Sequence, residues 1–219
     1  MPYYEGMKIT KIGHCCLLIE IDGKRILTDP GAFTVADHVL HDIDIVLISH
    51  EHADHLHTDS LKELLRLNPR ALIYCNSAVG RLLSEADIAH FVLEGTAYDE
   101  SAGIHIEAFD APHAEIYETL GQVQNTGYFI GPSFFYPGDA FADPGKPVQI
   151  LALPVAGPWC KVGDAVRYAL ALKPQKAFPV HDGLEREDRV QIFHNTPARV
   201  LPEHGIEFVS LKAGESADL

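Results

Sequence analysis

Ile43-Asp44-Ile45-Val46-Leu47-Ile48-Ser49-His50-Glu51-His52-Ala53-Asp54-His55 decides the reading of this chain. Its first half is nearly continuous apolar sequence, the pattern of a strand buried on both faces in a largely parallel sheet. Its second half packs three imidazoles and a carboxylate into six residues at the end of that strand. Imidazole and carboxylate are ligands for divalent first-row metals. His50 and His52 are two apart, so in extended chain they leave the same face. Asp54 and His55 follow the turn and can address a different point, which suits two neighbouring metal positions better than one.

Around this stretch, strands alternate with helices and no Pro/Gly/Ser-rich linker intervenes. Lys8–Ile12, Cys15–Ile21 and Arg25–Thr28 read as short strands, with Asp22-Gly23 as a turn. Ser60–Leu67 reads as a helix with a Ser60/Glu63 capping box, stopped by Pro69. Strands follow at Ala71–Cys75, Gly103–Phe109, Gly127–Ile130, Ser133–Tyr136, Val148–Leu153, Ala177–Val180 and Ile206–Leu211. Further helices are predicted over Ser77–Ala86, from Val162 to Leu170, and over Arg186–His194. Thr196-Pro197 fits the start of a last helix, closed by Gly205. This is an α/β pattern, and the 219 residues suffice for one domain spanning 1–219.

Composition excludes several classes. Net charge is −14, a field that repels polyphosphate, so nucleic acid is not an expected partner. No apolar run reaches the ~18–20 residues that span a bilayer, and no secretory signal is visible at the start, so no membrane partner is expected. The four cysteines, Cys15, Cys16, Cys75 and Cys160, form no CxxC pair and read as free thiols of a reducing cytoplasm. Adjacent Cys15 and Cys16 would face opposite sides of a strand.

Three more polar residues stand where apolar strands end beside Pro or Gly: His113 after Phe109-Asp110-Ala111-Pro112, Asp139 after Tyr136-Pro137-Gly138, and His181 after Phe178-Pro179-Val180. With these, the chain resembles the metallo-β-lactamase superfamily: HxHxDH, then a distant His, Asp and His in that order. Ile12-Gly13-His14, Leu18-Ile19-Glu20, Ile26-Leu27-Thr28-Asp29-Pro30, Leu153-Pro154-Val155-Ala156-Gly157 and Pro179-Val180-His181 look like the small branch of metal-dependent hydrolases that includes ascorbate-6-phosphate lactonase. The resemblance covers roughly the whole chain. It implies an αββα four-layer sandwich, mixed sheets with helices outside and metals at one edge.

Carried over residue by residue, the resemblance implies His50, His52 and His113 on one metal and Asp54, His55 and His181 on a second, with Asp139 bridging. His52 stands where diiron oxygen-reducing members carry Glu, which favours the hydrolytic type. Two divalent ions are implied, zinc first, with manganese or iron as alternatives. They would acidify a shared water to a hydroxide that attacks a carbonyl or phosphoryl centre, with Asp54 orienting it. The substrate expected is a small lactone, ester, thioester or phosphoester, a phosphorylated sugar lactone being one case. A nuclease or phosphodiesterase and a non-catalytic metal-dependent binding module are the competing readings.

Other positions have two explanations. Asp29 is either a carboxylate that fixes a ligand imidazole or a turn residue before Pro30-Gly31. His14 is either near the site mouth or a half-buried strand histidine. Lys161 could bind a substrate anion, although a surface lysine at a helix start explains it better. Asn125 could hydrogen-bond a substrate, although the start of a strand explains it better, and His57 reads as a surface residue. Trp159 sits in a loop that could overhang the pocket. Tyr3, Tyr4, Tyr117 and Phe141 could line that pocket or merely pack. Histidines 38, 41, 90, 105, 194 and 204 show no ligand spacing. A homo-oligomer is compatible with the scattered aromatics.

Overall fold

The computed structural model describes residues 6–34, 40–186 and 188–219. Tyr3, Tyr4 and His38 lie outside the described residues. Period-2 alternation in the early strands builds the first sheet. It contains β1 (Lys8–Gly13), β2 (Cys16–Ile21), β3 (Lys24–Thr28), β4 (Ile45–Ile48), β5 (Leu72–Cys75) and β6 (Phe91–Val92), in chain order, with α1 (Thr58–Leu67) and α2 (Ser77–Glu85) between them. β1, β2 and β3 pair antiparallel, and β3 to β6 run parallel. The second sheet adds β7 (Tyr98–Asp99), β8 (Ile106–Pro112), β9 (Gln124–Ile130), β10 (Phe134–Tyr136), β11 (Ile150–Pro154), β12 (Lys176–Val180) and β13 (Glu207–Phe208), also neighbours in chain order. α3 (Val162–Leu172) and α4 (Gln191–Val200) cover it, and β14 (Ser216–Asp218) returns to pair with β1.

Burial assigns each face. Ile45 and Leu47 of β4 point between the sheets, against Tyr128, Tyr136 and Phe178 of the second. Val46 and Ile48 point outward, against Leu61 and Leu64 of α1 and Val79 and Leu83 of α2. On the far side, Phe135, Leu151 and Ala177 pack on Ala165, Val166 and Ala169 of α3. The result is the four-layer αββα sandwich with mixed sheets that the family resemblance implied. Cys15 faces the inter-sheet core and Cys16 the outer one, as alternation required. No helix among the described residues is long and apolar enough to cross a membrane.

Several local expectations change. α1 begins at Thr58, with His57 at its N-cap position, so Ser60 and Glu63 form no capping box. Ser60 Oγ bonds His57 Nδ1 at 2.7 Å instead, and Glu63 pairs with Arg66 one turn on. Gly103 to His105 precede the strand, which starts at Ile106 and runs on to Pro112. Thr196-Pro197 starts no helix. Pro197 sits inside α4, where it is buried. Its missing N–H leaves one helix bond unmade, and burial of the ring offsets that. Ile206–Leu211 shortens to the two residues of β13.

All four thiols are buried. Burial pushes Cys16, Cys75 and Cys160 up to about 12 and raises Cys15 well above its ordinary value. Only thiolate reacts with disulfide reagents. Native protein at pH 8 should therefore show no fast-reacting thiol, and urea-unfolded protein four. One rapid equivalent in the native state would overturn this assignment.

Candidate metal centre

The chemistry-bearing side chains gather where strands end. His14 follows β1, Asp29 follows β3 and His50 follows β4. His113 follows β8, Asp139 lies three residues past β10, and His181 follows β12. Backbone bonds shape the approach. The His52 carbonyl accepts the N–H of His55 at 2.9 Å and of Leu56 at 2.8 Å, which curls His50–His55 into a turn. The Ser49 carbonyl accepts Thr126 N–H and the Asn76 amide, both at 2.9 Å, so the second sheet and the start of α2 hold the base of that turn. His14, Asp29 and His181 carry φ of 24, 36 and 62°. Such strain persists only where the surroundings enforce it, and it clusters at functional sites.

Two donor groups result. His50, His52, His113 and Asp139 offer atoms all within 4.8 Å of one another, as do His14, Asp54, His55 and His181. Asp139 reaches into both: its Oδ2 lies 3.3 Å from His113 Nε2 and 2.8 Å from His181 Nε2, and its Oδ1 lies 3.2 Å from His55 Nε2. The structure thus brings together the seven residues that the resemblance nominated and adds His14, whose Nε2 lies 3.2 Å from Asp54 Oδ2. Most of these groups are buried, and Asp54 and His52 are the more accessible ones.

Electrostatics follow from burial and crowding. Burial lowers His50 well below its usual value, and the charge of His55 lowers it further. Burial also lowers His14 and His52, so neutral rings with free lone pairs face the centre. His55 goes the other way: burial opposes its charge, but the carboxylates of Asp139 and Asp29 outweigh that and raise it. For Asp54 and Asp139, burial alone would raise the carboxyl. The hydrogen bond from His14 at Asp54, and the charges of His55 and His181 at Asp139, hold both below the carboxylate range. His55 Nε2, His113 Nε2, His181 Nε2 and Asp139 Oδ1 are buried with no hydrogen-bond partner. Each such orphan costs about 1–3 kcal/mol. All four belong to the two donor groups, and they fit divalent cations, whose ordinary ligands are neutral nitrogen and carboxylate oxygen.

A layer of supporting contacts sets these rings. Asp29 accepts Ser49 N–H at 2.7 Å, the Ser49 and Tyr136 hydroxyls, and His55 Nδ1 at 2.6 Å. It therefore orients His55 and directs Nε2 inward, the carboxylate–imidazole arrangement that tunes metal ligands. His113 and His181 direct Nδ1 to the carbonyls of Ala114 and Ala156 in the same way. Asn125, in β9, accepts Asp139 N–H at 2.9 Å and donates to the Pro137 carbonyl at 3.0 Å, so it holds the turn that presents Asp139. Trp159 donates Nε1–H to Asp139 Oδ2 at 3.0 Å. Neither residue carries a spacing signal in the sequence that would mark these partners.

One candidate falls away from the centre. Lys161 is exposed at the start of α3 and does not line the cleft, because its side chain follows the outer helix layer and not the strand ends. His194, without ligand spacing, is buried against Asp182 at 2.7 Å and is no ligand. His57 is exposed, as expected. The cleft over the centre is a shallow hollow of about 230 Å³.

A family model described as a beta-lactamase superfamily domain matches residues 8–181. Protein Rv0786c of Mycobacterium tuberculosis is 33% identical over 209 residues, covering 90% of this chain and 97% of that protein. A UPF0173 metal-dependent hydrolase of Sulfolobus acidocaldarius is 24% identical, covering 95% of this chain and 97% of that protein. Among solved structures, Igni18, a metallo hydrolase from Ignicoccus hospitalis, superposes with a TM-score of 0.74 at 17% identity, covering 98% of this chain and 99% of that chain. The diiron β-hydroxylase CmlA from Streptomyces venezuelae gives a TM-score of 0.76 at 17% identity, covering all of this chain and 55% of that one.

Proposed function

The chain belongs to the β-lactamase superfamily, and from that premise we propose that it is a metal-dependent hydrolase of small molecules. The observation that carries the reading is the set of four buried ligand atoms without a hydrogen bond, all drawn from the two donor groups. His50, His52 and His113 would hold one divalent cation and Asp54, His55 and His181 a second, with Asp139 shared. When bound, such ions supply Lewis acidity and an acidified water. Zinc is the ion the mixed nitrogen and oxygen set suits first, with manganese and iron as alternatives.

The chain's own residues do the rest. Of the two donor carboxylates that line the cleft, Asp54 is the accessible one, 18% exposed against 2% for Asp139, so it orients the attacking water and accepts its hydrogen bond. His14 holds that carboxylate in place and ionised. Asp29 keeps His55 in its ligating orientation. The substrate class is a lactone, ester, thioester or phosphoester, and a chain of net charge −14 favours small substrates over polymers.

The test is hydrolysis of a sugar lactone, a thioester, a phosphodiester and a β-lactam by zinc- and manganese-loaded protein, with Asp54→Asn beside wild type. Turnover of one class, reduced a hundredfold or more in kcat by Asp54→Asn at unchanged folding, is expected. Full activity in Asp54→Asn would end its assigned role. Two bound metals without turnover of any class would favour a binding module.

A further inference from the structure

We infer that the substrate of this centre is an ester or thioester with an apolar acyl group, and not a phosphorylated sugar derivative. The inference rests on the hydrolase reading and concerns what the walls of the cleft select. Apart from the donor residues, the cleft is lined by Phe33, Ala53, Ile116, Pro158, Trp159 and Leu184. Each is apolar, save for one indole N–H that Asp139 already takes. No Lys or Arg among the described residues lines it. A phosphate or sugar at a distance from the metals would meet hydrocarbon and the two carboxylates Asp54 and Asp139.

Exposure points the same way. Ile116 is 38% and Leu184 49% exposed, although both are large aliphatic groups that usually bury. Tyr117 and Leu120, on the same turn as Ile116, are exposed as well. Large apolar groups gathered at a rim mark a binding site more often than single scattered ones do. Ile116 lies across Gly121, where an added Cβ would come within 2.6 Å of its Cδ1, so the glycine leaves room for this side chain. A second hollow of about 400 Å³, with His14, Lys212 and Glu185 in its lining, shares only Phe33 with the cleft, so Lys212 stands outside it.

The acyl chain lies along Ile116, Trp159 and Leu184 with its carbonyl over the donor residues. Hydrolysis then breaks the acyl C–O or C–S bond. The hydroxyl of water goes to the acyl carbon, and its proton goes to the leaving alcohol or thiol.

The chain has one tryptophan, Trp159, in this wall, so its fluorescence reads occupancy without turnover. Zinc-loaded protein is titrated with acetate, butanoate, hexanoate and octanoate, and with 6-phosphogluconate. Hydrolysis of the matching 4-nitrophenyl esters is followed in parallel. Affinity and kcat/KM are expected to rise about fourfold per methylene, the transfer value for a covered CH₂. The rise should flatten in Leu184→Asn and Ile116→Asn. Chain-length-dependent fluorescence without ester turnover would sink the hydrolase reading and leave the apolar site standing. A flat series in both readouts, or tighter binding of 6-phosphogluconate than of hexanoate, would overturn the inference even if esters are cleaved.

Discussion

Replacing Gly31 with alanine is expected to cost the fold about 3 kcal/mol or more and to take metal binding with it. A Cβ at Gly31 would stand 1.9 Å from the Asp54 carbonyl oxygen, 2.0 Å from its carbon and 2.4 Å from His55 N. These are backbone atoms, so no side-chain rotation relieves the clash. Either the loop after β3 or the Asp54-His55 turn must move. Overpacked cores lose typically 1–3 kcal/mol, and this overlap is deeper than a surplus methylene makes. The same displacement shifts the Asp54 and His55 side chains, and misplacements of about 1 Å cost a catalytic site some hundredfold. Urea unfolding of metal-free protein and metal stoichiometry by elemental analysis check both parts. Gly163→Ala is the control. It lies in α3 with only the Arg167 side chain nearby, at 3.6 Å, and should gain about 0.5–1 kcal/mol. Wild-type metal content in Gly31→Ala would overturn the argument.

Lys11→Met is expected to destabilise by about 3–5 kcal/mol at pH 7.5, as breaking a buried ion pair does. Lys11 is buried in β1, and its ammonium donates to Asp182 Oδ1 at 2.6 Å, Asp182 Oδ2 at 2.8 Å and the Pro179 carbonyl at 2.8 Å. His194 meets Asp182 Oδ2 at 2.7 Å and Ser210 Oγ at 2.9 Å. Burial alone would raise the Asp182 carboxyl, but the Lys11 charge and the His194 hydrogen bond hold it below the usual range. A carboxyl whose folded value is depressed adds stability above its unfolded value of about 3.9, lost as pH falls through the folded value. Without Lys11 the carboxylate keeps its desolvation and loses its cation, so its folded value rises. The deficit of the variant should therefore shrink between pH 7.5 and pH 5. Asp182→Asn should recover part of the loss when combined with Lys11→Met, because neighbours couple. A deficit under about 1 kcal/mol, or one that pH leaves unchanged, would refute this.

The candidate centre was legible because its chemistry concentrates at strand ends. His50–His55 announces itself, and His113, Asp139 and His181 each follow an apolar run beside Pro or Gly. The inter-sheet core was legible through alternation, as in β4. What stayed hidden depends on partners far along the chain. Lys11 looks like any polar strand residue until β12 and its following turn arrive, 168 and 171 residues later. Tyr136 gains its role only when the second sheet meets Asp29, and Asn125 and Trp159 gain theirs only when the chain folds them onto Asp139, 14 and 20 residues away. β6, β7 and β14 are two or three residues long, too short for a period to show. Pro197 misled because propensity marks it as a helix start, and tertiary packing buries it in mid-helix.

The donors come from both sheets: His14 through His55 from the first, His113, Asp139 and His181 from the second. Synthesis proceeds from one end, and β1 finds its outer neighbour only in Ser216–Asp218. A nascent chain that has finished the first sheet's central strands therefore offers half a coordination sphere. The full donor set therefore exists only once the chain has been made past His181. The metal it carries then reflects which ions are free at that moment as much as which bind most tightly.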